Sequence, residues 1–316
     1  MLPNGEKIQV KDGFSYFVTS EDAADILIEK LHLCSWRYRK YPFFKHKRLL
    51  EVGMQIKFIT TDKPKWNKVE DRQLVISILI PWVDAQTKHQ DLYRSLKDTK
   101  NARFIFNEDV TSAEYFDGGD GETGAVLAFD RRICVLPCSY SCSAGVVECN
   151  ITIPKDVDLN VLPIYIRGVF SVPVDKYSYS NNGFSKSLYA YDVKVNESRS
   201  LPTNVKKHNV CKIDTCYCLH IVPSYYQLSF YDANNFRSVR MLEYMRYNDY
   251  VKGLRLFETE VKENEYQVVF NKVKSPDDQK FTFFSMFESE HIGVTPLTIA
   301  VVIDIVISIV FMLIQK

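Results

Sequence analysis

"QLVISILIPWV", Gln73–Val83, is an unbroken apolar run of eleven residues. It is too short to cross a bilayer, which needs about 20 apolar residues, and its β-branched content reads as a fully buried strand. The other long apolar run, "VTPLTIAVVIDIVISIVFMLI" from Val294 to Ile314, has a different length and therefore a different reading. Its 21 residues would rise about 31 Å as a helix, close to the roughly 30 Å of a hydrocarbon core. Fifteen of them are Val, Ile, Leu, Phe or Met. Their summed preference for lipid outweighs the roughly 3 kcal/mol charged to a central aspartate. The expected fold is therefore α+β, a predominantly β globular domain with a few helices over residues 1–290, followed by one C-terminal transmembrane helix over 294–314.

Between and around these runs the chain is rich in Phe (20) and Tyr (19), residues that favour strands. "ARFIFNEDV" and "AVLAFDRRICVLP" read as strands flanking the hairpin loop "DGGDGETG" (Asp117–Gly124), and "VLPIYIRGVFSVPV" (Val161–Val174) as a strand whose prolines place it at a sheet edge. "EYQVVFNKV" and "KFTFFSMF" read as a last pair of strands joined by "KSPDDQ". Helices are expected at Thr19–Cys34, where Thr19 or Ser20 caps and Ala24, Leu27, Ile28 and Leu31 share a face, at about Ala85–Lys100, and at Asn234–Gly253. The polar stretch 175–210 reads as a long loop or loose boundary.

Forty basic residues against 39 acidic leave a formal charge of +1, which points to neither nucleic acid nor an acidic substrate. One local stretch departs from this balance. In "WRYRKYPFFKHKR" (Trp36–Arg48) bases interleave with aromatics, and Trp36/Tyr38 alternate with Arg37/Arg39 at strand period. Aromatics packed inward and arginines facing water are the structural expectation; a lipid or polyanion contact is the functional one.

Within the apolar C-terminal helix, Ala300, Asp304 and Ser308 fall one turn apart on one face. Small residues admit close helix approach and a carboxyl deep in lipid needs a donor, so this stripe is expected to meet another membrane protein or a second copy.

Seven of the eight cysteines cluster: Cys134, Cys138, Cys142 and Cys149, then Cys211, Cys216 and Cys218; Cys34 stands apart. Such clusters suit disulfides, with a zinc site of Cys211, Cys216, Cys218 and His220 as the alternative. Asn150 and Asn196 begin glycosylation triplets. No apolar leader precedes residue 25, so topology defaults to a tail anchor, which sits uneasily with disulfides. The organisation, with its Cys-x4-Cys pair Cys211/Cys216, is similar to that of the entry-fusion membrane proteins of poxviruses and related large DNA viruses. That resemblance covers few residues, and implies disulfides made by virus-encoded thiol oxidation.

No phosphate loop, HExxH, GxSxG or dinucleotide fingerprint is present, so the expectation is a non-enzyme without cofactor. It is a single-pass membrane protein serving as a binding or structural subunit of a membrane complex, of which virion entry or assembly machinery is one version. The alternative is a tail-anchored, cytosol-facing regulatory module carrying the zinc site.

Overall fold

The computed structural model describes residues 14–38, 47–59, 72–106, 108–118, 121–172, 179–182, 186–197, 209–252, 254–256, 260–274, 280–290 and 294–314. Among them are eighteen strands and four helices, so the domain is predominantly β. Two large sheets face each other. The smaller holds β1 (Phe14–Thr19), β4 (Arg72–Leu79), β9 (Ser139–Ser143), β10 (Val146–Ile153), β12 (Tyr179–Asn182), β13 (Lys186–Val195), β15 (Gln227–Tyr231) and β18 (Phe281–Glu290), in the order β15-β18-β13-β1-β4-β10-β9 with β12 on β13.

The larger sheet begins with β16 (Phe236–Met241), β17 (Tyr266–Lys274), β14 (Lys212–Pro223), β2 (Ile26–Tyr38) and β3 (Lys47–Phe58), taken in spatial order. It continues through β11 (Ile164–Val172), β8 (Arg132–Val135), β7 (Gly121–Ala128) and β6 (Ser112–Gly118), with β5 (His89–Asp91) also on β11. Ile28, Leu33, Val52, Met54, Ile166 and Phe170 line its inner face and form one core with Ile76, Val147, Tyr191 and Phe283 of the smaller sheet. Its outer face is covered by α1 (Tyr93–Leu96), α2 (Thr99–Phe106) and α3 (Tyr244–Val251), which enclose a second core around Trp36, Tyr165, Tyr247 and Tyr250. The central strands of the larger sheet are thus buried on both faces.

Several expectations are corrected. The stretch 19–34 contributes to strand β2, not a helix: Ile26 and Ile28 point into the core, a bulge follows between Ile28 and Lys30, and Leu31 and Leu33 point in again. That bulge breaks the period of two and leaves an apolar spacing that imitates a helical face. Ser20, expected to cap, instead donates its hydroxyl to the Val75 carbonyl at 2.8 Å across to β4.

The helix expected at 85–100 begins later, and α2 takes in "ARFIF", which had strand composition; Ala102 and Phe106, one turn apart, are its buried residues. β11 is not an edge strand but lies between β3 and β8, because Pro163 precedes the strand rather than interrupting it. Part of the polar stretch 175–210 forms β12 and β13, in which Tyr189, Tyr191, Val193 and Val195 alternate inward. The segment 234–253 divides into β16 and α3. β17 and β18 are strands as expected, but they belong to different sheets. β4 is half buried rather than fully buried, with Val75 42% exposed on the outer face of the smaller sheet.

β18 leads into α4 (Val294–Ile314). Among the described residues no helix is long and apolar enough to cross a membrane. The described side chains of α4 run from 299 to 314, a rise of about 24 Å against roughly 30 Å of hydrocarbon.

Gly53, in the middle of β3, sets the spacing of the outer layer. A Cβ there would run into the hydroxyl of Tyr165 on the neighbouring strand. Gly53→Ala is expected to cost about 1–3 kcal/mol by overpacking. Adding Tyr165→Phe should recover part of that loss in a double-mutant cycle of urea unfolding.

Candidate binding site

Two buried polar clusters lie on opposite faces of the same central strands, and they differ in how completely they are satisfied. The first lies under the helices. Glu51 of β3 points outward, where its Oε1 accepts a hydrogen bond from Trp36 Nε1 at 3.0 Å. Its Oε2 accepts from Arg167 Nε at 2.9 Å, Arg167 Nη2 at 2.5 Å and the Tyr250 hydroxyl at 3.2 Å. Arg167 Nη1 then donates to the Tyr165 hydroxyl at 3.2 Å, which meets His32 Nδ1 at 2.9 Å.

Burial alone would lower the Arg167 guanidinium, but Tyr250 and Glu51 beside it hold it well above its ordinary value. Burial, then the charge of Arg167, push His32 well below its own. His32 is therefore held neutral at pH 7. A cavity of about 460 Å³ adjoins this network. With Glu51, Arg167, Tyr165 and Tyr250 all partnered, the network ties α3 to the sheet and these groups call for no ligand.

The second cluster faces the smaller sheet. Arg37 and Arg48 stand directly opposite each other on β2 and β3. They are 8% and 4% exposed, although the sequence reading had Arg37 facing water. They are buried because the inner face of the sheet is as covered as the outer one. Arg37 lies over the Tyr189 ring at 4.2 Å and the Tyr226 ring at 5.6 Å, and Arg48 over Tyr189 at 5.3 Å. Among the described residues Arg48 Nε, Nη1 and Nη2 and Arg37 Nε have no hydrogen-bond partner.

His220 of β14 is fully buried beside them, stacked on Tyr191 with ring centres 3.7 Å apart, and its hydrogen-bond contact is to the backbone of Ser35, opposite it on β2. Burial, then Arg48 and Arg37, push it well below its ordinary value. Of the basic–aromatic stretch, Trp36 and Tyr38 pack under the helices, and 39–46 lies outside the described residues.

The other sequence candidates scatter. All eight cysteines are free thiols, so the expected disulfide staples are absent and the clusters fill space instead. Cys134, Cys138, Cys149, Cys211, Cys216 and Cys218 belong to the core between the sheets, and Cys34 to the core under the helices. Cys138 and Cys149 are in thiol contact at the β9–β10 hairpin. Burial pushes the thiols of Cys134, Cys211 and Cys218 up to about 12, and burial followed by Asp84 pushes Cys142 up to about 11. The Cys142 Sγ lies 3.6 Å from His89 Nδ1, but a thiol so raised is a poor nucleophile.

The zinc alternative does not form. Cys216, Cys218 and His220 alternate along one straight strand, which holds their side chains parallel, and among the described residues no group of three could hold a metal. Asn196 is buried, accepting from the Val18 N–H at 3.2 Å and donating to the Cys211 carbonyl at 3.3 Å, whereas Asn150 is exposed on β10. Ala300, Asp304 and Ser308 are all exposed on α4. Sequence reasoning missed Glu51, Arg167, Tyr165 and Tyr250, whose partners lie up to 199 residues away.

Asp91 enters only through the structure. It accepts a hydrogen bond from the Tyr93 N–H at 3.2 Å at the start of α1, and burial raises its carboxyl to about 7. It lines a cleft of about 1260 Å³ with Arg48, Lys88, His89 and Arg94.

No protein-family model matches this chain, nor does any curated protein.

Two measurements test these assignments. Arg167→Met leaves Glu51 buried without its cation and is expected to cost about 3–5 kcal/mol, most of it recovered in the Glu51→Gln/Arg167→Met double variant. For Asp91 the folded pKa lies above the unfolded one, so its contribution to stability falls as pH rises from about 4 through 7. Asp91→Asn should thus match the parent near pH 4 and exceed it at pH 8 by on the order of 2 kcal/mol in chemical denaturation.

Proposed function

We propose that the protein is a membrane-tethered binding subunit: the double-sheet domain works by association rather than by covalent chemistry, and α4 holds it at a bilayer. One observation carries this reading. All sixteen residues from Ile299 to Ile314 are exposed, and thirteen of them are Val, Ile, Leu, Phe or Met. An apolar helix bare on every side is unstable in water and stable in lipid or against other apolar helices. With the five preceding residues, "VTPLT", the helix is 21 residues long.

Asp304 supports a specific contact within that setting. It sits ten residues into α4, about three turns from its start, and Ala300 and Ser308 open the same face to close approach. A second copy or another single-pass protein, donating to Asp304, fits this stripe. The raised thiols favour association over nucleophilic catalysis on the domain side. Virion entry or assembly machinery is the concrete setting we favour, on the organisational resemblance described above.

The test is alkaline carbonate extraction of membranes carrying the full chain, beside a variant truncated after Glu290. The full chain is expected to stay with the lipid and the truncated one to be released; release of both would overturn the reading. Asp304→Leu should leave membrane retention unchanged and lower the yield of cross-linked assemblies about 5- to 30-fold, the equivalent of 1–2 kcal/mol of interhelical hydrogen bonding.

A further inference from the structure

The arginine pair on the inner face is built for something the described residues do not supply. Arg37 and Arg48 are opposed across two neighbouring strands, a placement in which like charges repel. Each is more than nine-tenths buried, and among the described residues no ion pair joins a carboxylate to either. The tyrosine rings compensate only the faces of the guanidinium planes. The edges carry the N–H donors, and among the described residues all three nitrogens of Arg48 and Nε of Arg37 are left without an acceptor.

His220, the third polar group of the cluster, leans on the backbone of Ser35 and meets no side-chain acceptor among the described residues. Natural cores rarely hold so many unpaired donors together, and a cationic fork without an anion is the costliest kind. A planar fork of guanidinium donors matches the oxygens of a phosphate group.

We propose that Arg37 and Arg48, with His220 beside them, form a binding site for a phosphate group at this end of the sandwich. Arg48 is also one of the residues lining the 1260 Å³ cleft, where six of the lining residues are Lys or Arg against three Asp, so the field at this edge of the sheet favours anions.

Position adds a second argument. Arg37 is one residue from the end of β2 and Arg48 one from the start of β3. Their shared ring, Tyr189, pairs with Phe287, three residues before the end of β18. β18 is the strand that runs on to α4. The site therefore lies at the end of the sandwich that leads to the apolar helix, where a phosphate can arrive either on a lipid headgroup or free in solution. Only the lipid source rests on the membrane reading; the anion site itself does not.

The experiment is thermal unfolding of the full chain in nonionic detergent, with sodium phosphate titrated against sodium chloride at constant ionic strength. The parent is expected to show a saturating rise in Tm. Arg48→Met should abolish that rise while its Tm without phosphate equals or exceeds the parent's, because an unpaired buried charge has been removed. Arg48→Lys keeps the charge and loses the fork, and should need about tenfold more phosphate for the same rise.

Equal phosphate responses in the parent and both variants, or no response in the parent, would overturn the site. So would a fall in the Tm of both variants, which would make Arg48 a structural cation. Mixed micelles then separate the sources. An Arg48-dependent stabilisation by phosphatidic acid over phosphatidylcholine assigns a lipid headgroup. A response to inorganic phosphate without that lipid effect assigns a soluble phosphate compound. If carbonate releases the full chain, the titration in detergent still decides the anion site.

Discussion

The larger sheet is covered on both faces, and every polar residue on its central strands has to be reconciled with that. Glu51 shows how it is done. Taking a carboxylate and a guanidinium out of water costs several kcal/mol each, and their attraction offsets this only when the remaining donors and acceptors are also used. Here both Glu51 oxygens are occupied, by Trp36 on one and by Arg167 and Tyr250 on the other. The chain of contacts passes on to Tyr165 and His32. The network joins β2, β3, β11 and α3, so it fixes where the helical layer sits. Gly53 is part of the same solution, since only a residue without a side chain leaves room for the Tyr165 hydroxyl.

Set against this, the cluster on the reverse of the same strands is anomalous. One residue type, arginine, occurs on both faces of one sheet, fully partnered as Arg167 and largely unpartnered as Arg48. A fold that satisfies a buried guanidinium with three hydrogen bonds, one from each nitrogen, on one side has no general difficulty in doing so on the other. The contrast is what singles out the inner cluster, more than the burial of either group.

Much of the β character was legible, because strand composition does not depend on where a strand lies. Val, Ile, Tyr and Phe alternate through β13, β14, β17 and β18, and the hairpin around "DGGDGETG" pairs Gly118 with Gly121 as its glycines suggest. Position within a sheet was not legible. Pro163 looks the same in sequence whether it starts an edge strand or a central one, and β2 was hidden by one bulge that shifts its inward residues by a single place. Of the site, Trp36–Arg48 stood out by composition, but its alternation gave the wrong exposure for Arg37. Period two separates faces and says nothing of whether each face is covered. The Glu51–Arg167 pair, 116 residues apart, left no local signal at all.

The two apolar runs of the chain make the final step. β4 is short, and its inward half is consumed by the core between the sheets. The helix α4 gains nothing from the domain, since its described side chains are all exposed. The same apolar chemistry therefore serves two purposes, and what distinguishes them is whether the domain supplies a covering surface. Where it does, the segment becomes core; where it does not, the surface must come from outside. The arginine cluster repeats that logic in polar form, with donors in place of methyl groups. Both unmet demands fall at one end of the sandwich, the end at which β18 finishes. An apolar demand and an anionic one side by side are what the boundary of a phospholipid layer meets, with acyl chains on one side and phosphates on the other.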